Sequence, residues 1–302
     1  MIHARRSLAC LAVTAVAVVT SPLAAQSAGN VKIKTVKVAD GVYMLTGSGG
    51  NIGLSVGDDG VFMIDDQFAP LTEKILAAVS MLSREPVRFL VNTHWHGDHT
   101  GGNENLGKAG AIIIAHDNVR RRMSTDQFMA AFDRSVPASP AGALPVVTFT
   151  DAVTFHFNDE ELHVFHVRNA HTDGDAIIHF RQANVFHMGD TFFNGMYPFI
   201  DTGSGGSIDG MIEAADQVLA RADRRTKVIP GHGPLGDRKD LRAYRDMLET
   251  VSARIHTMVD DGKSRDEVIA AKPTSELDGK WGSGFMEPDQ WVGIVYDGMT
   301  RP

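Results

Sequence analysis

The chain has 302 residues, 43% hydrophobic and 22% charged, a composition that supplies a sizeable core and excludes disordered and fibrous classes. Its 37 acidic residues outnumber 29 basic ones, and so acidic a surface repels phosphate backbones and anionic membranes, which argues against nucleic-acid and polybasic membrane partners. A length near 300 is compatible with one large domain, and one is the expectation.

The first segment reads as a leader. A basic stretch, His3-Ala4-Arg5-Arg6, precedes an apolar run from Leu8 to Val19, then Ser21-Pro22 and the small residues Ala24 and Ala25, in the order of a secretory signal. The run is too short to span a hydrocarbon core of ~30 Å comfortably. We expect residues 1–25 to be a signal peptide and residues 26–302 to form a periplasmic or secreted protein with no membrane attachment once the signal is removed. Loss of Arg5 and Arg6 makes the net charge of −8 two units more negative. Cys10, the single cysteine, leaves with the leader, so the mature chain has no disulfide and no thiolate for metal binding or catalysis.

From Val31, short apolar stretches alternate with Gly-rich turns, and 32–38, 41–45, 53–56 and 60–65 read as a β-meander. Ile75, Leu76, Val79 and Leu82 fall at helical spacing, predicting a helix over 71–82 with Thr72 as its cap. The apolar strand 87–92 runs straight into Thr93-His94-Trp95-His96, and a second strand, 111–115, leads into a basic helix around 118–123. Residues 134–145, with three prolines, predict an exposed loop. Strands at 154–157, 162–167, 176–180 and 184–188 follow, then helices at 208–222 and 239–258 separated by the strand 227–230. The order of strands followed by helices thus occurs twice, once in each half.

The chemistry concentrates in His94-Trp95-His96-Gly97-Asp98-His99. His94 and His96 are two apart, so an extended strand end projects both to one side, while Asp98 and His99 come from the turn beyond and face a second point nearby. One histidine alone is most often a hydrogen-bonded structural residue. Four metal-capable side chains in six residues invert that expectation and suit two ions. Imidazoles and carboxylates without thiolate suit zinc, with manganese and iron also compatible by ligand type.

The run Thr93-His94-Trp95-His96-Gly97-Asp98-His99-Thr100-Gly101-Gly102-Asn103 resembles the signature of the metallo-β-lactamase fold superfamily. The resemblance implies an α/β fold, a four-layer αββα sandwich with a dinuclear metal site at one edge. It also implies further ligands: His171 in Asn169-Ala170-His171-Thr172-Asp173-Gly174-Asp175, Asp190 in His187-Met188-Gly189-Asp190-Thr191, and His232 in Ile229-Pro230-Gly231-His232-Gly233. By that resemblance His94, His96 and His171 hold one zinc, Asp98, His99 and His232 hold the second, and Asp190 touches both. A water between two such cations loses a proton near neutral pH, since zinc alone lowers its pKa to ~7. The expected reaction is attack of that hydroxide on a small carbonyl substrate, with Asp98 orienting it.

Other polar residues have plainer readings. Asp65, closing the strand 60–65, resembles the family's acidic residue behind the metal site, and simple strand termination fits it equally. His116 suits a helix cap or a residue that supports a ligand from behind; His156, His163 and His166 alternate with apolar residues and suit a sheet face or the surface, His187 precedes the Asp190 turn, and His179 and His256 lack ligand-like company. Asp173 and Asp175 suit turns, and Arg120 to Arg122 a solvated helix face. Gly47-Ser48-Gly49-Gly50-Asn51 is a flap or a simple turn. In the thiolate subclass of metallo-β-lactamases the position of Asp190 is cysteine and a lysine three residues on holds the substrate carboxylate; here Phe193 stands at that place. Phe192 to Phe199 then suit an apolar pocket wall, with Asn194 or Tyr197 donating to substrate, or else a packed loop. Export favours a β-lactam amide over cytosolic thioesters, and with it a role in antibiotic resistance. A lactonase, thioesterase or esterase with the same site is the alternative. An iron-dependent sulfur-handling protein or a metal-binding protein without turnover is the alternative of another class.

Overall fold

Gly41 sits at φ 66° and Gly60 at φ 122°, left-handed positions that glycine occupies without a Cβ clash. Each closes a hairpin: β1 (Lys34–Ala39) with β2 (Val42–Thr46), and β3 (Ile52–Gly57) with β4 (Gly60–Ile64). The structure, a computed structural model, describes residues 29–301, and the leader assigned to residues 1–25 lies outside them. A boundary falls between Val31 and Lys32; the fold described is that of the unit beginning at Lys32.

After the meander the chain changes its mode of connection. Helix α1 (Thr72–Ser80) crosses from β4 to β5 (Val87–Val91), and β4, β5, β6 (Ile112–His116) and β9 (Val147–Phe149) pair in parallel. Between β5 and β6 lie α2 (Gly97–Thr100) and α3 (Asn103–Lys108), and α4 (Asp117–Met123) follows β6. The first sheet thus has seven strands in the order β1-β2-β3-β4-β5-β6-β9. The second has six in sequence order: β10 (Ala152–Phe157), β11 (Glu160–His166), β12 (Ala176–Phe180), β13 (Val185–His187), β14 (Lys227–Ile229) and β15 (Gly236–Asp237). Helix α5 (Ile208–Leu219) makes the parallel crossover from β13 to β14.

The period of two along the strands of the second sheet explains the layering. Leu162, Val164, Ile178, Phe180 and Val185 pack in one cluster with Val42, Phe62, Ile64 and Val91 of the first sheet. Their neighbours Phe165, Ile177 and Phe186 turn the other way and pack with α5, α6 (Arg238–Asp260) and α9 (Pro288–Thr300). On α6 Leu241, Tyr244, Leu248, Val251 and Ile255 repeat at three- and four-residue intervals and are buried, one apolar stripe against the sheet. Asp237 caps this helix in a reciprocal capping box with Asp240. Two facing sheets with helices outside give the αββα sandwich expected from the sequence.

Local expectations fare unevenly. The helix predicted over 71–82 covers Thr72–Ser80, but Thr72 does not cap it: Leu71 is the N-cap, and the Thr72 hydroxyl donates to Ala69 O at 3.0 Å. Residues 134–145 are not wholly a loop, because β8 (Arg134–Val136) pairs antiparallel with β7 (Gln127–Met129) in a two-stranded hairpin separate from both sheets. Beyond 258 the chain continues through α7 (Arg265–Ala270) and α8 (Asp278–Trp281) to α9, helices the periodicity did not delimit. Among the described residues no helix is long and apolar enough to cross a membrane.

Candidate metal centre

Four chain segments leave the carboxyl ends of β5, β11, β13 and β14 and meet at one edge of the sandwich, where open α/β sheets leave a crevice. The segment after β5 brings His94 and His96, and α2 adds Asp98 and His99. His171 follows β11, Asp190 follows β13 and His232 follows β14. The structure brings all seven sequence-predicted residues together. One ligand atom each from His94, His96, His171 and Asp190 falls within 4.8 Å of the others, and Asp98, His99 and His232 form a second such group. Asp190 sits between them. Its Oδ1 is 3.0 Å from His99 Nε2, and its Oδ2 is 3.4 Å from His232 Nε2, 3.5 Å from His171 Nε2 and 3.8 Å from His94 Nε2.

The rings are aimed from behind. Asp65 Oδ2 lies 2.7 Å from His99 Nδ1, and the same carboxylate accepts from Thr93 N and Thr93 Oγ1, each at 2.8 Å. Thr93 Oγ1 also lies 3.1 Å from His94 Nδ1. Asp65 holds φ at 60°, a left-handed conformation costly for a non-glycine and typical of residues whose side chain is forced to one place by function. Asp201 Oδ2 is 3.0 Å from His96 Nε2, and Phe199 O is 2.8 Å from His171 Nδ1. Each partner fixes one ring nitrogen and leaves the other turned to the cluster. Two glycines permit the close approach: a Cβ on Gly50 would stand 2.1 Å from the His99 ring, and one on Gly231 2.0 Å from Asp190 Oδ1.

The donor set fits a pair of cations. His94 Nε2 is buried with no hydrogen-bond partner, and the buried His99 Nε2 and Asp190 Oδ1 have only each other, at 3.0 Å, an arrangement of inward-facing donor atoms that is costly unless something positive or polar meets it. Burial pushes the His94 ring well below its ordinary pKa, helped by His99, and holds His171 down to about 4 against the pull of Asp190, so both present lone pairs. Burial works against charge at Asp98, yet His99 and His232 overcome it and bring the carboxyl to about 2. Burial likewise disfavours a charged His232, but Asp190 and Asp98 raise it to about 9. The carboxylates therefore demand positive charge, from protons or from metal.

Asp98 and His232 are the open side. Their side chains keep 26% and 21% of their surface, against 6% or less for the other five. They floor a cavity of about 300 Å³ whose walls include Phe68, Trp95, Phe132, Phe199 and Phe285. This corrects the pocket wall expected at Phe192 to Phe199. Phe193 is fully buried and stacks at 5.1 Å on the back of the His232 ring, Asn194 donates to Pro234 O at 2.9 Å, and the buried Tyr197 donates to Asp278 at 2.8 Å. Of that run only Phe199 lines the cavity. Nor is Gly47–Asn51 free to act as a flap, since Gly50 N donates to Asp98 O and Asn51 N to Gly231 O. His116 does cap a helix, its Nδ1 accepting from Asn118 N at 3.2 Å, and Arg122 pairs with Asp173 at 2.7 Å rather than standing free.

Asp201 and the cavity's apolar rim escaped the sequence reading. In Phe199-Ile200-Asp201-Thr202-Gly203 the aspartate looks like a turn former, and nothing local links it to a histidine 105 residues earlier.

Comparison with known proteins adds a family. The model of the metallo-beta-lactamase superfamily matches residues 45–232, a span that holds all seven residues. The hydroxyacylglutathione hydrolase of Polaromonas sp. is 28% identical over 166 residues, 54% of this chain and 55% of that protein, so the match spans about half of that relative's length. The type 2 metallo-beta-lactamase of Bacillus cereus is 23% identical over 191 residues, 63% of this chain and 69% of that one. Among solved structures, the metallo-beta-lactamase from Pontibacter korlensis superposes with a TM-score of 0.59 at 21% identity, covering 72% of this chain and 99% of that chain.

Proposed function

The chain belongs to the metallo-β-lactamase superfamily, and on that premise we propose that it is an exported di-zinc hydrolase of a small carbonyl substrate, a β-lactam amide foremost. The observation that carries this reading is the gathering of seven His and Asp side chains into two adjoining groups of candidate metal ligands, with Asp190 in reach of both. His94, His96 and His171 would hold one ion, Asp98, His99 and His232 the other, with Asp190 shared. When bound, a zinc pair supplies Lewis acidity toward a carbonyl oxygen and lowers the pKa of water to ~7.

The chain's own residues set the rest. Asp98, the more open carboxylate of the site and a poor base in its ionised state near 2, is suited to accept a hydrogen bond and orient the attacking water rather than to keep its proton. Asp65, Thr93, Asp201 and the Phe199 carbonyl lock four imidazoles, so reorganisation during reaction is small. The aromatic walls exclude bulk water from the floor, which strengthens every charge interaction there.

A thioester is the second reading, favoured by the resemblance to a protein named hydroxyacylglutathione hydrolase; export disfavours it. The deciding experiment is a panel of β-lactams, lactones, thioesters and simple esters offered to the purified mature protein, alongside elemental analysis. We expect close to two zinc ions per chain, activity lost to chelators, and β-lactams ahead of thioesters. One tightly held ion with full activity would count against the dinuclear arrangement, and iron in place of zinc against the zinc assignment.

A further inference from the structure

The hairpin of β7 and β8 projects beside the site and contributes Met129, Phe132, Arg134 and Val136 to the cavity. Its base is anchored, since Met129 and Val136 pack against the cluster of Trp95, Val119 and Met123. Its tip meets the opposite part of the wall, where the Phe132 ring lies 4.8 Å from that of Phe199. Three of the large apolar side chains exposed on this protein, Phe68, Phe132 and Phe285, stand round this one mouth. Exposed aromatic rings gathered over a reactive floor point to an apolar ligand.

Arg134 is the discordant member. It is the only lysine or arginine among the cavity's lining residues. Its guanidinium has no hydrogen bond and no carboxylate partner among the described residues, although most other arginines there have a hydrogen bond or a carboxylate partner, as Arg238 with Ala222 O and Arg122 with Asp173. An arginine left unpaired beside apolar walls has its five donors available to a ligand.

We propose that the site takes a substrate with an apolar body and an anionic group, and that Arg134 on the β7–β8 hairpin holds the anion while Phe68, Phe132 and Phe285 cover the body. This deepens the hydrolase reading and rests on it. The floor is committed to the reacting carbonyl, so an anionic group elsewhere on the substrate meets the cavity's walls, where Arg134 is the one cation among the lining residues. A charge-assisted contact of this kind is worth roughly ten- to a hundredfold in affinity, less at high salt because the arginine is exposed.

The test uses two aryl esters identical except that one bears a distal carboxylate and the other its methyl-capped neutral form. With the metal-loaded protein at low salt, kcat/KM should favour the acid about tenfold or more through KM. The ratio should fall to near one in Arg134→Ala and be partly kept in Arg134→Lys. A second measurement needs no turnover: quenching of tryptophan fluorescence, Trp95 lining the cavity, by phenylbutyrate and by phenylbutyramide. The preference for the acid over the amide should shrink about tenfold in Arg134→Ala. If no ester or amide is cleaved, the hydrolase reading fails while this binding ratio still reads the anion site. Equal affinity for acid and amide in the wild type, or an acid preference that survives Arg134→Ala, overturns the proposal.

Discussion

Around His94, His96, His99 and His171 each ring nitrogen turned away from the cluster meets a fixed, buried partner, whereas Phe132 and Arg134 at the mouth of the same cavity stand on a two-stranded hairpin with exposed side chains. The floor is held by hydrogen bonds between segments far apart in sequence, and the rim by a few apolar contacts. Chemistry that depends on placement within a fraction of an ångström belongs on the first kind of support, and substrate choice tolerates the second. The comparison makes a graded claim: substitutions in the floor should cost rate, metal or fold, and substitutions at the rim should cost affinity.

The largest effect is expected at Asp98. Asp98→Ala removes both a candidate ligand and the carboxylate that orients the attacking water, and should lower kcat by roughly 10²–10⁴-fold. Since Asp98 lies on the short α2 with part of its surface open, the circular dichroism spectrum and the unfolding midpoint of the metal-free protein should change little, while the extra stability conferred by metal should fall. Near-normal turnover would break the assignment of floor to chemistry.

Phe193→Lys comes next, and here the structure reverses the reading of the sequence. As a pocket wall, Phe193 replaced by lysine would improve binding of a substrate carboxylate. As a fully buried ring stacked on His232, its replacement loses the packing of a phenyl group and buries a charge without a partner, about 3–5 kcal/mol of stability in all. Urea unfolding measures this. A stable Phe193→Lys protein with better β-lactam hydrolysis would return the residue to the cavity.

The third effect concerns metal. Asp201→Ala deprives His96 Nε2 of its acceptor, and loss of such a partner behind a metal-binding histidine typically weakens the ion ~10–100-fold. Competition with a chromogenic chelator should show this for one ion of the two, whereas Asp65→Ala, which stands behind His99 and through Thr93 behind His94, should weaken both. Equal weakening of both ions by Asp201→Ala would mean that the two groups are held as one.

These variants also mark how far the sequence could be read. His94 to His99 were legible because four donors fall within six residues, and His171, Asp190 and His232 because each follows a strand in a short run that resembles a known pattern. The strands were legible because Gly and Asp turns interrupt apolar runs. Asp201 was not, since its meaning is a hydrogen bond to His96, 105 residues away. Phe193 was misplaced for a related reason: position relative to Asp190 says nothing of which face of the loop is buried. The hairpin was hidden because Pro137, Pro140 and Pro145 signal a loop, and β8 is only three residues long.

The smallest effect should come from Phe132, and it tests whether floor and rim are separable at all. Its ring is 41% exposed and lies 4.8 Å from Phe199. An aromatic pair of this sort contributes ~0.5–1.5 kcal/mol, so Phe132→Ala should raise KM about two- to tenfold for an apolar substrate, with stability shifted by no more than that pair. The rim reading requires kcat to stay near its wild-type value, because a contact made equally in ground and transition states affects binding alone. Yet Phe199 also carries the carbonyl that lies 2.8 Å from His171 Nδ1. If Phe132→Ala lowers kcat while KM holds, the hairpin acts on the floor through Phe199 and the aim of His171, and the division drawn between the two regions fails at the residue that joins them.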